Sequence, residues 1–330
     1  MQSAGQSAER SRTQTMRAAV VDRYGSADVV RVTELARPTP RKDEVLVRVV
    51  TAAVTSADAR IRAARFPKGF APFARLIFGI RRPRRHVLGT GVSGVVETVG
   101  SSVTSFAPGD EVCGMTGIKM GAHAEFVVVP TKRLVRKPSE VTHEQAAAVL
   151  FGGTTALFFL RDKASVRAGM SVLVNGASGA IGTSAVQLAK HFGANVTAVT
   201  SSPNVDLITS LGADHVIDYT EVDLGSVVER FDVVLDTVGN ISIPSGRRLL
   251  TERGVLLLAV ADLAETLKAR GNVKVGTSPE RAADFEFLLE LVEAGSLHVV
   301  IDQALTLDDI AEAHRRIDSG RKKGNIVIHP

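Results

Sequence analysis

The chain has little of what several classes of protein require. It has a single cysteine, Cys113, in 330 residues, which excludes an internal disulfide and a four-thiolate zinc site. It has no tryptophan and only 5% aromatic residues, which do not alternate with the basic residues, so a base-stacking surface for nucleic acid is not expected. No apolar run reaches the roughly 18 residues that a membrane span needs. These absences predict a soluble, cytoplasmic protein with no membrane contact.

Two further features concern charge and the N-terminus. The formal net charge is +5, and much of the excess lies in the basic run from Arg81 to His86. We favour a solvated loop for this run over a patch for an anionic cofactor or nucleic acid. Residues 1–15 are rich in Ser, Gln and Ala and have no apolar core, so they are predicted to be a disordered extension and not a secretion signal.

The most informative segment combines an apolar run, a glycine-rich turn and a helical pattern. Val172–Val174 precede Gly176, Gly179 and Gly182, and apolar residues then recur at spacings of three and four from Ala185 onwards. A strand, a tight glycine turn and a helix N-terminus form an anion site, because backbone N–H groups point outward and the helix dipole favours a pyrophosphate. The alternative is a turn in an α/β protein that binds nothing, because the motif alone is weak.

The surrounding pattern favours dinucleotide binding. Further apolar strands are predicted over residues 193–200, 213–218, 231–236 and 254–260, with a helix over 207–211. Apolar strands that alternate with helices indicate a parallel sheet buried on both faces. The helical face of Phe285, Leu288, Leu289 and Val292 ends this part of the chain.

The first part of the chain has a different sequence pattern. Short alternating segments with Gly and Pro between them predict an antiparallel barrel-like domain over residues 16–137, and a helix over 145–160 leads into the nucleotide half. Strand patterns return at 299–301 and 326–328. We therefore predict one domain from residues 16–137 and 297–330, and a nucleotide-binding domain over 138–296.

Several motifs resemble the medium-chain dehydrogenase/reductase superfamily, in particular its zinc-free quinone oxidoreductase (zeta-crystallin-like) branch. They are Tyr24-Gly25, 43–47, 94–103 running on to 106–112, 212–219 and 236–239. The resemblance covers the chain from about Met16 to the C-terminus. It implies an α/β protein with a doubly wound parallel Rossmann sheet plus a GroES-like antiparallel β-barrel domain. It also implies a cofactor in the cleft between the domains and a homodimer joined through the edges of the Rossmann sheets.

The zinc branch of this superfamily carries metal ligands that this chain lacks. Thr55, Thr90 and Phe151 lie at or near the positions of its Cys, His and Cys, and this set cannot hold a catalytic zinc. No metal site is therefore predicted. Without a Lewis acid, hydride donation to an electrophilic carbon is easier than alcohol oxidation, which predicts reduction of a quinone or an α,β-unsaturated carbonyl.

Catalytic side chains are the least defined part of the prediction. Thr55 is the candidate for a polar contact to substrate or nicotinamide, and a hydroxyl that satisfies a loop backbone group is the alternative. Asp58 matches a family aspartate and is interpreted as structural more readily than catalytic. Gly91 stands where relatives have an acid, which predicts an opened pocket or altered activity. No side chain is identified as a proton donor, and we expect water to protonate the product.

The second Rossmann strand ends without an acid. An NAD site places Asp or Glu there to bind the ribose 2′-hydroxyl, so its absence favours NADPH, with NADH as the alternative. The Lys or Arg that zinc-free relatives often carry in this turn is also missing. The predicted cofactor contacts are Thr155, Gly176, Ala177, Ser178, Gly179, Ala180, Ile181, Gly182, Thr200, Ser201, Ser202, Asn204, Tyr219, Val238, Ala259 and Asn325.

The long segment from Ile61 to Arg85 is rich in phenylalanine. It is interpreted as an apolar lid, an amphipathic helix on the barrel or a subunit contact. The leading functional hypothesis is an NADPH-dependent reductase acting on a hydrophobic electrophile. The alternatives are a non-catalytic NADPH-binding protein, a zinc-free alcohol dehydrogenase and nucleic-acid binding through Arg81–Arg85.

Overall fold

The structure is a computed structural model that describes residues 14–330. Most of the predicted extension at 1–15 lies outside the described residues, and Thr15 already begins the first strand. The strands are β1 (Thr15–Val21), β2 (Val30–Ala36), β3 (Glu44–Val54), β4 (Gly91–Val99), β5 (Glu111–Met115), β6 (Phe126–Pro130), β7 (Leu134–Arg136), β8 (Ser171–Asn175), β9 (Asn195–Thr200), β10 (His215–Asp218), β11 (Phe231–Asp236), β12 (Leu250–Leu258), β13 (Val273–Val275), β14 (Ile301–Thr306) and β15 (Asn325–His329).

The helices lie between these strands. They are α1 (Ser56–Arg62), α2 (Ala71–Phe78), α3 (His143–Leu157), α4 (Ala180–His191), α5 (Val205–Ser210), α6 (Ile243–Arg248), α7 (Leu263–Lys268), α8 (Ala282–Glu293) and α9 (Ile310–Asp318). None of the helices within residues 14–330 is both long enough and apolar enough to cross a membrane.

Six strands form a wholly parallel sheet in the order β10-β9-β8-β11-β12-β13. Counted along this half of the chain, the order is 3-2-1-4-5-6, the arrangement of the Rossmann dinucleotide-binding sheet. The predicted fold class is therefore confirmed. The central strands β8 and β11 are buried on both faces, as their continuous apolar runs indicate. The short edge strand β13 was not predicted, because its three residues leave no detectable period.

A second, mainly antiparallel sheet has the order β14-β15-β3-β4-β5-β7, with β6 also paired to β3, while β1 and β2 form a separate hairpin. The C-terminal strands thus join the first part of the chain. Within this sheet β14 and β15 pair in parallel. The strand expected at 299–301 begins only at Ile301, because Val299 and Val300 are buried in the loop before it.

Helix α3 packs between the two sheets and contacts β3 and β4 on one side and α4 and α8 on the other. A reciprocal capping box between Thr142 and Gln145 starts it. It ends at Leu157, where a π-helical turn follows, rather than at the predicted residue 160. Gly152 lets α4 approach closely, because a Cβ at this position would lie 2.3 Å from the carbonyl oxygen of Ala180. The start of α4 thereby packs directly on α3.

The segment 61–85 contains helix α2 and packs through Phe66 and Phe78, whose rings stack with centroids 6.0 Å apart. It reaches the Rossmann half through Lys68, whose carbonyl accepts a 2.9 Å hydrogen bond from the Leu263 amide. The outer side chains of α2 and the following turn are exposed: Phe73, Leu76, Ile77 and Ile80. The lid and subunit-contact interpretations stay predictions.

Candidate active site

A cleft of about 630 Å³ opens at the carboxyl ends of the parallel strands, between the six-stranded sheet and α1. This is where open α/β sheets bind ligands, at the point where the strand order reverses. Its lining comes from both parts of the chain: Ser56, Arg60, Phe151, Asn175, Gly176, Ser178, Gly179, Ala180, Ile181, Val199, Thr200, Tyr219, Val222, Asp223, Leu224, Thr237, Val238, Asn240, Ile317, Gly320 and Lys322.

The glycine turn forms the floor of the cleft. Gly176 has a φ of +80°, which favours glycine, and its amide bonds to the Val199 carbonyl at 3.2 Å. Helix α4 begins directly afterwards, and its N-cap Gly179 has no side chain to cap the first turn. The first-turn amides at residues 180–182 therefore have no acceptor within the helix. Together with the helix dipole, they form a site for a diphosphate.

The C-terminal segment lies against this turn. The Gly324 amide donates a 2.8 Å hydrogen bond to the Ser178 carbonyl, and Gly324 pairs with Gly179 as an isolated parallel bridge. This contact brings Lys322 to the lining of the cleft, where its ammonium group donates to the Gly324 carbonyl. Burial lowers the pKa of Lys322 to about 8. A cation held in this way is stabilised when an anion occupies the turn.

Unpaired polar atoms cluster after β9. Among the described residues, Thr200 Oγ1 and Asn204 Oδ1 are buried without a hydrogen-bond partner. Asn204 Nδ2 donates to Ser201 Oγ at 3.1 Å, so the Ser201 hydroxyl keeps its own proton free for another acceptor. Lys323 reaches the same loop, with its Nζ 3.3 Å from the Pro203 carbonyl oxygen. This loop thus presents hydroxyl donors and a nearby ammonium group.

A buried carboxylate shapes the loop after β11. Asp236 is fully buried and accepts hydrogen bonds from the amides of Val238, Gly239 and Ile241 at 2.9–3.1 Å. Asn175, at the end of β8, donates its side-chain amide to Asp236 Oδ1 at 2.9 Å. These bonds fix the loop 237–241 against the glycine turn, so that Val238 faces the cleft.

The predicted catalytic pair Thr55 and Asp58 forms a capping box at the start of α1. Asp58 Oδ2 accepts from the Thr55 amide at 2.8 Å and from the Thr55 hydroxyl at 2.6 Å, and Asp58 Oδ1 accepts from the Gly89 amide at 2.9 Å. Both side chains are buried, and neither lines the cleft. Helix α1 instead presents Ser56 and Arg60 to the cleft, one turn apart.

The donor chemistry near α1 does not suit a catalytic zinc. Phe151 lines the cleft with a hydrocarbon ring, and the oxygens of Thr55 and Asp58 are already hydrogen-bonded to each other. Within residues 14–330, no three His, Cys, Asp or Glu side chains are grouped to hold a metal ion. At Gly91, a Cβ would lie 3.1 Å from the Ala147 carbonyl oxygen, so the backbone of α3 occupies the space that a larger side chain would need.

The predicted cofactor residues fall into two groups. Those that line the cleft are Gly176, Ser178, Gly179, Ala180, Ile181, Thr200, Tyr219 and Val238. Those that do not are Thr155, Ala177, Gly182, Ser201, Ser202, Asn204, Ala259 and Asn325. Two residues of the second group make contacts outside the cleft lining. Gly182 packs on Gly176, and Asn325 donates to the Val300 carbonyl at 3.1 Å.

Sequence reasoning missed two cations of the cleft, Arg60 and Lys322. Arg60 lies in a helical turn and Lys322 in a basic stretch near the C-terminus, and neither belongs to a motif. The spacing of Ser56 and Arg60 on one face of α1 was the available signal. Nothing in the local sequence indicates that residue 322 approaches the glycine turn.

Both parts of the chain match known protein families. Residues 41–139 match the family described as the alcohol dehydrogenase GroES-like domain, and residues 211–328 match the family described as zinc-binding dehydrogenase. A 2-methylene-furan-3-one reductase from Solanum lycopersicum is 33% identical, over 93% of this chain and 77% of that protein. The mitochondrial NAD(P)H oxidoreductase RTN4IP1 of Mus musculus is 32% identical, over 98% of this chain and 92% of that protein.

The fold has solved counterparts. The structure of the quinone oxidoreductase from Coxiella burnetii superposes with a TM-score of 0.87 at 26% sequence identity, covering 96% of this chain and 100% of that one. The similarity therefore extends over both sheets and the cleft between them.

Proposed function

The chain belongs to the medium-chain dehydrogenase/reductase superfamily, in its zinc-free quinone oxidoreductase branch, and on this basis we propose that it is an NADPH-dependent reductase of quinones and α,β-unsaturated carbonyl compounds. The observation that carries the proposal is the glycine turn at the end of β8, whose open first-turn amides face a cleft of about 630 Å³. A dinucleotide diphosphate fits this arrangement of amides and helix dipole.

The loop after β9 supports NADPH over NADH. Residues 201–204 contain no carboxylate, although Asp218 at the end of β10 is hydrogen-bonded to Ser202, and the buried, unpartnered Thr200 hydroxyl lies there with the Ser201 hydroxyl. Lys323 supplies the positive charge that the loop itself lacks, from a position more than a hundred residues along the chain. Hydroxyl donors and an ammonium group suit a 2′-phosphate, because each can donate to a phosphate oxygen.

When bound, NADPH would supply a hydride for the electrophilic carbon of the substrate. The π electron pair of the substrate would then move to the conjugated oxygen, and a proton from water would complete the product. The protein's part is to orient the two reactants and to exclude other reactions. Val238 and Phe151 provide apolar walls for a flat conjugated substrate, and the Ser56 hydroxyl is a donor available within the cleft.

We further propose that catalysis needs no zinc and that Thr55 and Asp58 are positioning residues. Their mutual hydrogen bonds and the bond from Gly89 fix the start of α1, which sets the direction of Ser56 and Arg60. Metal analysis of the active protein tests the first point, since stoichiometric zinc would contradict it. Asp58→Asn tests the second, because a positioning role predicts a higher KM with the pH profile of kcat unchanged.

The activity is tested by following NADPH absorbance with menadione and with neutral enones, and by repeating the assay with NADH. We expect saturable turnover with both substrate types and a higher kcat/KM with NADPH than with NADH. Lys323→Gln should lower the NADPH preference without changing the rate with NADH. Tight binding of NADPH without turnover on any substrate would favour a non-catalytic cofactor-binding protein instead.

Assembly and location follow from the same reasoning. We propose a homodimer joined through the edges of the parallel sheets, whose edge strands are β10 and β13. Light scattering after size-exclusion chromatography tests this, and a single-chain mass near 35.0 kDa would contradict it. We also propose a cytoplasmic location, which cell fractionation tests.

A further inference from the structure

Arg60 is a cation without a partner at the edge of the cleft. The only perturbation of its guanidinium among the described residues is burial, which lowers its pKa below the ordinary value, with no hydrogen bond or nearby carboxylate to oppose it. Other arginines of this region are paired: Arg62 and Arg65 both contact the Asp318 carboxylate, at 2.5 and 3.2 Å. Arg60 is partly buried and lines the cleft without a partner, so it is a candidate for binding an anionic ligand.

Arg60 also joins two cavities. It lines the main cleft and a second cavity of about 590 Å³ beside it. The walls of the second cavity are mixed: Ala64, Phe66, Pro67, Val260 and Ala261 give it an apolar part, and the rest of its lining is mainly polar or charged. Asn240 is the other residue that lines both cavities. The two cavities therefore adjoin at Arg60 and Asn240, and a ligand that reached into both would lie beside these side chains.

The second cavity carries side chains of both signs, three basic and two acidic. Besides Arg60 it is lined by Arg65, Lys68, Asp262 and Glu265. Asp262 and Glu265 accept each other's backbone amides in the capping box of α7, at 2.7 and 3.2 Å. Arg65 is bound to Asp318, which leaves Lys68 as a further cation at the exposed rim. Arg60 itself has neither a salt bridge nor a side-chain hydrogen bond among the described residues, although Asp262 and Glu265 keep their negative charge in the same cavity.

The position of Arg60 corresponds to the nicotinamide end of the cofactor. In the 3-2-1-4-5-6 sheet the adenosine lies towards the second strand, here β9, so the nicotinamide lies over β11 and β12. Arg60 shares its cavities with Val238, which follows β11, and with Val260, which follows β12. The diphosphate site already has the α4 amides and Lys322.

We infer that the substrate is an enone or quinone with a carboxylate, which the Arg60 guanidinium binds where the two cavities adjoin, while the apolar side chains of the second cavity contact the rest of the molecule. This inference rests on the proposed function and specifies its substrate class. The hydride adds to the alkene carbon β to the ketone, the π electron pair forms the enolate, and a proton from water restores the ketone. The carboxylate takes no part in bond changes and serves only for recognition, through paired N–H···O bonds.

The test uses para-carboxybenzylideneacetone and its methyl ester, which share the same enone and differ in charge. We expect Arg60→Gln to lower kcat/KM for the acid by about 30- to 100-fold and to change that for the ester by less than about 3-fold. Arg60→Lys should retain part of the preference for the acid, because it keeps the charge and loses the fork geometry. Arg315→Gln removes the same charge from an exposed surface pair and should alter neither value.

Three outcomes would overturn the inference while leaving the proposed function in place. An equal fall in kcat/KM for the acid and the ester would mean that the guanidinium binds the enolate oxygen and not the carboxylate. A weaker NADPH affinity in Arg60→Gln, measured by titration calorimetry, would assign it to the cofactor. Turnover of the ester alone would exclude the acid as a substrate.

If no substrate is reduced, the proposed function fails, and binding still tests the inference. The acid should then bind the NADP⁺ complex of the wild type and lose about 30-fold in affinity in Arg60→Gln; no difference overturns it. Thermal unfolding of the ligand-free proteins adds a second readout. If Arg60 serves to bind a ligand, Arg60→Gln should be at least as stable as the wild type, because it removes an unpaired charge. If Arg60 has a purely structural role, the melting temperature of Arg60→Gln should fall below that of the wild type.

Discussion

Gly182 packs directly on the backbone of Gly176: a Cβ at position 182 would lie 2.2 Å from the Gly176 carbonyl oxygen. Gly179, in the same turn, differs, because a Cβ there would have no neighbour closer than 3.5 Å. Gly179 lines the cleft, whereas Gly182 lies behind the turn. The two glycines therefore serve different purposes. One allows helix and strand to pack, and the other leaves space for a ligand.

This difference predicts opposite phenotypes for two alanine variants. Gly182→Ala forces α4 away from the turn and should lower the free energy of unfolding by about 1–3 kcal/mol. Gly179→Ala should leave stability within about 0.5 kcal/mol, because its φ of −80° suits alanine, and should weaken NADPH binding by roughly 10-fold or more. Urea unfolding and titration calorimetry measure the two effects.

Each of these two alanine variants serves as the control for the other. If Gly179→Ala bound NADPH as tightly as the wild type, the diphosphate would not approach this part of the turn. Equal destabilisation by both substitutions would contradict the distinction between packing and ligand space.

Local sequence signals predicted the glycine turn and the strands that carry it. The strand expected at 231–236 has those bounds in the structure, because its apolar run is buried on both faces. Strand β13 was missed because three residues show no hydrophobic period. The sequence left three interpretations open for the segment that contains helix α2, and the apolar side chains of this helix are largely exposed. The fold thus follows from patterns that each lie within a dozen or so residues.

The cleft required information that local patterns do not contain. Arg60 is a functional candidate because it has no partner, and the absence of a partner is a property of the packed molecule. Lys322 approaches residues 178–180 only because β14 and β15 join the first part of the chain. The three-residue spacing of Thr55 and Asp58 is that of a capping box, but the sequence does not indicate that both side chains are buried away from the cleft.

Arg62 and Arg65 share one carboxylate, that of Asp318, in different surroundings. The Arg62 side chain is 0% exposed, and its other bond is a 2.7 Å donation to the Gly25 carbonyl, whereas Arg65 is 64% exposed. Asp318→Ala leaves a buried guanidinium without its counter-charge and should cost about 3 kcal/mol of unfolding free energy. Arg65→Ala removes only a surface pair and should cost less than about 1 kcal/mol.

Chemical denaturation of the two variants checks this prediction. Similar losses for Asp318→Ala and Arg65→Ala would show that the buried pair contributes no more than the exposed one. An Arg62→Met, Asp318→Ala double variant should recover part of the loss, because it removes the uncompensated charge and fills its space.

Cys113 is predicted to be inert in the native protein. It is fully buried in the core beneath α3, and burial raises the pKa of its thiol to about 12. The thiolate is therefore negligible at neutral pH. A thiol-specific reagent should react with no more than a trace of native protein and with one equivalent after unfolding in guanidinium chloride. Rapid labelling of the native protein would contradict the packing described for β5.

The lowered pKa of Lys322 predicts that the affinity for the cofactor depends on pH. In the ligand-free protein, burial lowers its pKa to about 8, and the nearby Asp302 carboxylate only partly opposes this effect. A diphosphate on the glycine turn should raise that pKa, because it stabilises the ammonium form. A group whose pKa rises on binding contributes affinity fully below its free-state pKa and loses it as the pH increases between the two values.

NADPH affinity should therefore be nearly constant between about pH 7 and pH 8 and fall by up to 10-fold per pH unit above it. The phosphates do not titrate in this window, since a phosphomonoester loses its second proton near pH 6. Calorimetry at pH 9 in two buffers of different ionisation enthalpy should show uptake of close to one proton on binding. Lys322→Gln should bind more weakly at pH 7 and lose the dependence above pH 8. A slope that survives in this variant would mean that another group titrates in the cleft and that the lysine contributes through its hydrogen bond to Gly324 alone.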